Sequence, residues 1–304
     1  MSTQANNPLA SLSEALAEAV KRAGAWTVTV EARRRIPASG IAYAGDLILT
    51  AEHVVERDED ITVRLPDGSS QAARVAGRDA GRDLALLRLE SAALAPAEIA
   101  SEAAQVGQLV LGLGRPSREV GIEASLGIIS AIGGPARTGR GGLLESYLRT
   151  DTTPYPGFSG GPLVNTAGKL VGLNTSGLSR GSALTIPASL AWEVAATLAE
   201  HGHIRRGYLG VRSQPVEITP AQQTVLGRTQ ASGLLLVWIE EGGPAAQGGL
   251  LVGDILAGLG EETVSDHDSL LAGLAGSRVG QAVDVRILRG GQPLTLQVVV
   301  GERS

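Results

Sequence analysis

Short apolar segments, several of them alternating with polar residues, fill the chain from Trp26 to Thr175. WTVTVEA alternates as a half-buried strand does, and DLILTA and DLALLRL have the nearly continuous apolar character of buried strands. ITVRL and QAARVAG flank Pro66-Asp67-Gly68, a sequence typical of a tight turn. The pattern therefore predicts a mainly β region made of many short strands.

Strand-like segments resume after an alanine-rich stretch without clear periodicity, Ser91 to Gln105. The later segments are QLVLGLG, GIEASLGIISAI, SYLRTD, GPLVN and KLVGLNT. Between them, Gly133 to Gly142 has the composition of a loop. The alanine-rich stretch is thus a candidate connection between two β subdomains.

Helices are predicted on both sides of this β region. Residues 1–10 are expected to form a disordered tail, because the helix pattern begins at a capping box of Ser11 and Glu14 and stops at Gly24. PASLAWEVAATLAEHG has helical spacing and ends near Gly202. A second unit with strands, a short helix and a final hairpin begins near Tyr208. The predicted divisions are a tail and helix over 1–25, a β domain over 26–202 and a smaller domain over 203–304.

Composition excludes several classes of function. A net charge of −5 over 304 residues argues against broad binding to nucleic acid or anionic membranes. The absence of cysteine excludes disulfides and thiolate metal sites, and no metal or organic cofactor is implied. No stretch is apolar enough to span a membrane, and the first residues lack the pattern of a signal peptide, so we expect a cytoplasmic protein from the sequence as it stands.

His53 is the best candidate for a general base among the four histidines. It follows the buried strand of DLILTAEHVV, and a strand end can hold an imidazole in a fixed orientation. His201 and His203 flank a glycine near the end of the first unit, and His267 lies in a polar first turn of a predicted helix. For His53 taken alone, a purely structural role is the more common explanation.

Ser159 is the candidate nucleophile, in the sequence PYPGFSGGPLV. Gly157 and Gly160-Gly161 permit a turn whose N–H groups converge on one pocket, as an oxyanion hole requires. A plain glycine-rich hairpin is the alternative. Phe158, the only phenylalanine of the chain, directly precedes the serine and raises the question of whether the site is active.

Asp83 is the candidate acid, because it begins an otherwise apolar strand and its burial is costly unless it accepts hydrogen bonds. Asp79, in the preceding loop, is the alternative. The order His–Asp–Ser fits a protease in which a first barrel supplies His53 and Asp83 and a second supplies Ser159.

These motifs resemble those of a known family. LTAEHVV, GRDLALLRL, TDTTPYPGFSGGPLVN and GKLVGLNT, in this order, look like the HtrA/DegP family of trypsin-like serine proteases. RGYLGV followed by GLLLVWIEEGGPAAQGGLLVGDIL resembles that family's PDZ domain. The resemblance covers the chain from Trp26 onwards. It implies two antiparallel six-stranded β-barrels of the chymotrypsin type, followed by an α+β PDZ domain.

The resemblance also implies roles for individual residues. Ser159 would attack the peptide carbonyl, His53 would transfer its proton, and Asp83 would orient the imidazole. The N–H groups of Gly157 and Ser159 would form the oxyanion hole. Pro154 and Leu178 would line the P1 pocket, which favours a small or medium aliphatic residue.

Phe158 departs from the asparagine that the family usually places before the serine. Phenylalanine supplies the same main-chain N–H but cannot form side-chain hydrogen bonds that steady the turn. Because the triad is intact, we expect an active, ATP-independent endopeptidase that cleaves unfolded or misfolded proteins. The alternatives are a catalytically weak or inactive peptide-binding, chaperone-like protein, or a regulatory protease with one dedicated substrate.

The PDZ resemblance implies regulation by C-terminal peptides. Tyr208, Leu209, Gly210 and Val211 match the carboxylate-binding loop. Leu270 and Leu274 would wall the side-chain pocket, although a plain core role is equally open for Leu274.

The family also couples peptide or subunit contacts to the ordering of active-site loops. The stretch 133–142, which carries Arg137 and Arg140, is the candidate sensor loop. Family members often form trimers through aromatic residues near the N-terminus, but the segment before Trp26 has none, so trimerisation is in doubt. By analogy with the family, the location would be periplasmic or otherwise extracytoplasmic.

Overall fold

The computed structural model describes residues 7–34, 36–91, 94–117, 121–139, 142–178, 184–204, 206–274 and 278–303. The chain divides into two compact units, Met1–Ile204 and Arg205–Ser304, and each is described by itself.

The first unit begins with a closed barrel of six antiparallel strands in the order β1-β2-β3-β6-β5-β4. The strands are β1 (Thr27–Glu31), β2 (Ala38–Ala44), β3 (Leu47–Ala51), β4 (Ile61–Arg64), β5 (Ser70–Asp79) and β6 (Leu84–Leu89). A 3-10 helix, Glu52–Val54, follows β3. β3 and β6 pair in register and are buried on both faces, apart from Arg88, which explains their nearly unbroken apolar sequence.

A second closed barrel has the order β11-β14-β13-β12-β7-β8. Its strands are β7 (Leu109–Ser117), β8 (Gly121–Gly133), β11 (Tyr147–Thr150), β12 (Pro162–Asn165), β13 (Leu170–Thr175) and β14 (Leu184–Pro187). A small separate hairpin pairs β9 (Ala136–Arg137), which lies within the predicted sensor loop, with β10 (Leu143–Leu144), which directly follows that loop. Arg140 of that loop lies outside the described residues.

Two helices flank the barrels. α1 (Pro8–Gly24) begins earlier than expected, because Asn7 caps it by accepting a hydrogen bond from the Leu9 N–H and Pro8 suits the first turn. The predicted start at Ser11 was therefore wrong, as was the predicted tail for residues 8–10, while the part of that prediction over residues 1–6 lies outside the described residues. α2 (Ala188–His201) ends as predicted at Gly202, whose φ of 76° terminates the helix.

The second unit is a sheet with helices against it. The sheet has the path β16-β17-β18-β20-β21, with β19 pairing β18, and a separate pair joins β15 to β22. The strands are β15 (Arg206–Tyr208), β16 (Val211–Glu217), β17 (Ser232–Ile239), β18 (Ile255–Leu259), β19 (Glu262–Thr263), β20 (Ala282–Arg289), β21 (Gln292–Val299) and β22 (Gly301–Arg303). The helices are α3 (Pro220–Leu226), α4 (Pro244–Gln247) and α5 (His267–Gly273).

The fold class predicted from the sequence is confirmed: two six-stranded antiparallel barrels precede a smaller α+β unit. Within the described parts of the chain, no helix has the length and apolar character needed to cross a membrane.

Candidate active site

His53 lies in the 3-10 turn at the end of β3, as the sequence predicted. Its backbone N–H donates to Oδ1 of Asp83 at 2.8 Å, and its ring Nδ1 is 2.8 Å from Oδ2 of the same carboxylate. The Glu52 N–H adds a third link by donating to the Asp83 carbonyl at 3.1 Å. The imidazole is therefore held from its Nδ1 side, which leaves Nε2 for the chemistry.

Asp83 is fully buried in the four-residue turn between β5 and β6. The Thr175 hydroxyl donates to Oδ2 in addition to the two bonds from His53. The φ of Asp83 is 57°, a left-handed conformation that is uncommon for a residue other than glycine but accessible to aspartate. Burial of the carboxylate is thus compensated by hydrogen bonds from both barrels.

Asp79, the alternative acid, is also buried but serves the turn itself. Its carboxylate accepts hydrogen bonds from the Arg82 N–H and from Arg82 Nη1, both at 3.2 Å. No hydrogen bond joins it to His53. Asp83 is the acid that the fold brings to the imidazole.

The turn that carries Ser159 is supported from the first barrel. The Ser39 hydroxyl donates to the Gly157 carbonyl at 2.8 Å, and the Ser39 N–H donates to the Ser159 carbonyl at 3.2 Å. Gly157 and Gly160 have φ values of 87° and 82°, which side chains rarely permit. Among the described residues, the N–H groups of Gly157 and Ser159 have no acceptor, so both are available to an oxyanion.

The Ser159 hydroxyl is turned towards Ser176. Its Oγ lies 3.0 Å from the Ser176 Oγ and accepts a long hydrogen bond of 3.4 Å from the Ser176 N–H. The structure gives no hydrogen bond between the Ser159 hydroxyl and His53. Ser159 and His53 therefore line the same cavity without a hydrogen bond between their side chains.

The side chain of Phe158 contributes apolar packing instead of hydrogen bonds. Its ring is buried, meets the Tyr155 ring edge-on with centroids 5.4 Å apart, and lies over Gly114. A Cβ at Gly114 would be 2.5 Å from the Phe158 ring. The backbone of Phe158 donates to the Tyr155 carbonyl and accepts from Gly161, so packing and main-chain bonds steady this turn.

A cavity of about 280 Å³ opens beside Ser159. Pro154 lines this cavity, whereas Leu178 is not among the lining residues and is buried in the core of the first unit, and the role of Pro154 in a P1 pocket stays a prediction. Threonine and asparagine form much of the wall. The lining includes Thr150, Thr152, Thr153, Asn174 and Thr185. Leu178 as a pocket residue remains a prediction.

Arg33 supplies positive charge to the lining of this cavity. Its Nε donates to the Ile36 carbonyl at 2.7 Å. Burial lowers the pKa of Arg33 and Glu56 opposes that effect, but a guanidinium remains charged at neutral pH. Arg33 was not predicted from the sequence as a residue of this cavity.

The predicted carboxylate-binding loop of the second unit also presents free donors. Among the described residues, the N–H groups of Leu209 and Gly210 donate to no acceptor, while their carbonyls accept from Ala245 and Glu240, each at 2.8 Å. Gly210 has a φ of 76°. The loop is therefore fixed through its carbonyls and keeps its N–H groups for a ligand.

Next to this loop, β16 is an edge strand of the sheet and α5 contacts it. His267 Nε2 lies 3.0 Å from the Ser213 carbonyl and joins the helix to that strand. Leu270 and Leu274 are buried in the same apolar cluster as Leu209, and Val211 packs against it. Their part in a peptide pocket remains a prediction.

Besides Arg33, three further site residues were missed in the sequence. Thr175 bonds to Asp83, Ser39 bonds to the serine turn, and Ser176 bonds to Ser159. Thr175 and Ser176 end or follow the GKLVGLNT motif, which could have pointed to them, but nothing in the sequence singles out Ser39.

Comparison with known proteins identifies both units. The model of the trypsin-like peptidase domain matches residues 38–173, and that of the PDZ domain matches residues 207–300. Among solved structures, "HtrA-type protease AlgW with decapeptide" has a TM-score of 0.75 and 31% identity, covering 95% of this chain and 99% of that one. A serine endoprotease from Yersinia pestis has a TM-score of 0.74 and 30% identity, with 95% and 98% covered.

Curated relatives carry the name "Probable periplasmic serine endoprotease DegP-like". The protein from Halomonas elongata is 34% identical over 280 residues, which is 90% of this chain and 57% of that protein. The one from Pseudomonas fulva is 38% identical over 277 residues, covering 86% and 55%. The chain thus spans little more than half the length of these relatives.

Thr175→Val tests the support of Asp83 from the second barrel. The variant removes a donor to a buried carboxylate, so we expect kcat to fall about tenfold with KM unchanged, and stability to fall by about 1–2 kcal/mol. Thr29→Val is the matched control, since Thr29 is equally buried but donates to the Arg115 carbonyl. It should lose stability without losing kcat. Equal effects of both variants on kcat would contradict a specific role for Thr175.

Phe158→Ala tests whether packing steadies the serine turn. Removal of the buried ring should lower the free energy of unfolding, measured by urea denaturation, by about 3 kcal/mol, and it should reduce the rate of hydrolysis. Phe158→Leu, which keeps most of the volume, should recover most of both. Full stability and activity in the alanine variant would show that the ring does not support the turn.

Proposed function

The chain belongs to the HtrA family of trypsin-like serine proteases with a PDZ domain, and we propose on that basis that it is an ATP-independent serine endopeptidase acting on unfolded or misfolded polypeptides. The strongest supporting observation is the chain of hydrogen bonds from Thr175 through Asp83 to His53. His53 and Thr175 line the same cavity as Ser159. Such an arrangement serves acyl transfer.

The proposed reaction begins when Ser159 rotates from Ser176 to the Nε2 of His53. The imidazole takes the hydroxyl proton as Oγ attacks the peptide carbonyl, and it later gives that proton to the leaving amine. Asp83 holds the ring and stabilises the imidazolium. The N–H groups of Gly157 and Ser159 receive the charge that develops on the carbonyl oxygen. Water then cleaves the acyl-enzyme by the same steps.

The cavity favours an uncharged P1 residue of modest size. Thr150 and Thr152 hydrogen-bond to each other, and the Thr185 hydroxyl donates to Asn174, so these polar groups are already satisfied. Apart from Arg33, whose Nε is bound to the Ile36 carbonyl, the described lining offers no counter-ion to a charged P1 side chain, which would have to be desolvated. A small or medium aliphatic residue avoids that cost.

The second unit is proposed to bind peptides that end in a free carboxylate. The N–H groups of Leu209 and Gly210 would capture that carboxylate, and the peptide would add to the β16 edge. AlgW, a structural relative, was solved with a decapeptide, which supports peptide binding here. We further propose that this occupancy regulates hydrolysis and that the protein assembles as a homo-oligomer in at least one functional state.

An extracytoplasmic site of action is proposed because the curated relatives are named periplasmic. The cytoplasmic location expected from the sequence is the alternative. Fractionation of cells that express the protein from its natural gene separates the two.

A catalytically weak peptide-binding protein is the second candidate. The contact between Ser159 and Ser176 favours it, because a nucleophile held away from its base does not react. The two candidate functions differ in whether the Ser159 side chain rotates to His53 under the conditions in which the protein works.

A fluorophosphonate probe separates these functions. The peptidase should be labelled at Ser159, and labelling should disappear in Ser159→Ala and fall at least a hundredfold in His53→Ala. Unfolded casein should be degraded by the wild type alone. If folded wild-type protein neither reacts with the probe nor cleaves casein, the binding function is the correct one.

Peptides tested by fluorescence polarisation check the second unit. A peptide with a free C-terminal carboxylate should bind at least tenfold more tightly than its C-terminal amide, because only the carboxylate can use the loop N–H groups. Gly210→Ala should lower the affinity for the peptide with a free carboxylate and leave the affinity for the amidated peptide unchanged, because the φ of residue 210 disfavours a side chain. Equal affinities for acid and amide would refute carboxylate capture.

A further inference from the structure

The small hairpin of β9 and β10 lies against the turn that carries Asp83. Thr138, which directly follows β9, is buried, and its hydroxyl donates to the Gly81 carbonyl at 2.7 Å. The same hydroxyl accepts a hydrogen bond from the Gly142 N–H at 3.0 Å. A single side chain therefore joins the hairpin of the second barrel to a turn of the first.

Gly142 brings the two backbones into direct contact. A Cβ built at this position would lie 2.3 Å from both the carbonyl carbon and the carbonyl oxygen of Gly81. That separation is far inside van der Waals distance, so any larger residue at 142 would push the hairpin away from the turn.

Arg82 makes a charged contact next to the acid. Its Nη2 lies 2.5 Å from Oε1 of Glu145, just beyond β10, while its Nη1 binds Asp79 at 3.2 Å. Burial by itself lowers the pKa of Arg82, but the hydrogen bond to Glu145 and the charges of Asp79 and Glu145 outweigh it and raise the pKa. The guanidinium thus links the hairpin to the start of the turn.

The turn benefits from such support because Asp83 has a left-handed backbone. A conformation of this kind persists when its surroundings hold it in place. Asp79 and Arg82 hold the turn from within, and Thr138, Gly142 and Glu145 hold it from outside.

We propose that the β9–β10 hairpin is a positioning element for Asp83, the aspartate that orients His53. The hairpin keeps the turn 80–83 in the conformation that places Asp83 against His53. Withdrawal of the hairpin would loosen Asp83 while the Ser159 turn, supported by Ser39, stayed in place. The inference deepens the proposed peptidase function and rests on it for its kinetic consequences.

Thr138→Ala, made in the full chain, is the first test. With an activated peptide ester as substrate, kcat should fall about 5- to 30-fold, the rate equivalent of one or two lost hydrogen bonds, and KM should stay within about twofold. Thr138→Ser keeps the hydroxyl and should restore kcat. An unchanged kcat, or a loss that serine does not restore, would overturn the proposal.

A double-mutant cycle shows whether the effect passes through Asp83. In an Asp83→Asn background, Thr138→Ala should change kcat by less than about twofold, since the acid is already missing. An equal loss in both backgrounds would mean that the hairpin acts elsewhere and would refute the proposal. If circular dichroism shows that Thr138→Ala is unfolded, the double-mutant cycle is repeated with Glu145→Gln and Gly142→Ala in its place.

Proton NMR separates this inference from the peptidase function. The proton between His53 Nδ1 and Asp83 should give a low-field resonance in the wild type and in Ser159→Ala, and it should broaden or vanish in Thr138→Ala and Gly142→Ala. If the wild type hydrolyses nothing but the resonance responds in this way, the peptidase function fails and the positioning role stands. A resonance that is indifferent to both hairpin variants contradicts the positioning role.

Discussion

A buried carboxylate must have its hydrogen bonds satisfied, and the way Asp83 meets this demand determines the arrangement of the site. Its side chain is fully buried, yet it accepts bonds from the backbone and ring of His53 and from the Thr175 hydroxyl. One set of donors comes from the first barrel and the other from the second, so the acid is satisfied only where the barrels meet. Gly177 completes the fit, because a Cβ there would lie 2.5 Å from Asp83 Oδ2 and 2.6 Å from His53 Nδ1.

Ser159, the proposed nucleophile, is supported by a different set of interactions. Its turn depends on glycines with positive φ, on Ser39 and on the packed ring of Phe158. The proposed oxyanion donors are the main-chain N–H groups of Gly157 and Ser159, whereas the Phe158 N–H donates to the Tyr155 carbonyl. Because packing takes the place of side-chain hydrogen bonds, the presence of Phe158 is compatible with a formed oxyanion hole. The acid and the nucleophile can therefore be perturbed separately.

The sequence was most informative where a polar residue interrupts an apolar pattern. Asp83 at the head of DLALLRL and His53 at the end of DLILTA were found in this way, and both barrels followed from the resemblance. β2 was missed because its residues are small rather than strand-like. A Cβ at Gly40 would lie 2.7 Å from Ile48 and 2.9 Å from Val30, so the barrel interior demands small side chains there. The contact of the hairpin with Gly81 was equally hidden, since a glycine pair leaves no pattern.

The proposed hydrolysis requires that His53, Asp83 and the Ser159 turn converge into a working centre. The most direct measurement is a crystal structure of the protein inactivated by a peptide boronate at Ser159. It should show boron bonded to Oγ, one boronate oxygen within hydrogen-bond distance of the N–H groups of Gly157 and Ser159, and the imidazole still bound to Asp83. An adduct whose oxygen faces solvent while His53 is turned away from Asp83 would contradict this proposed catalytic centre.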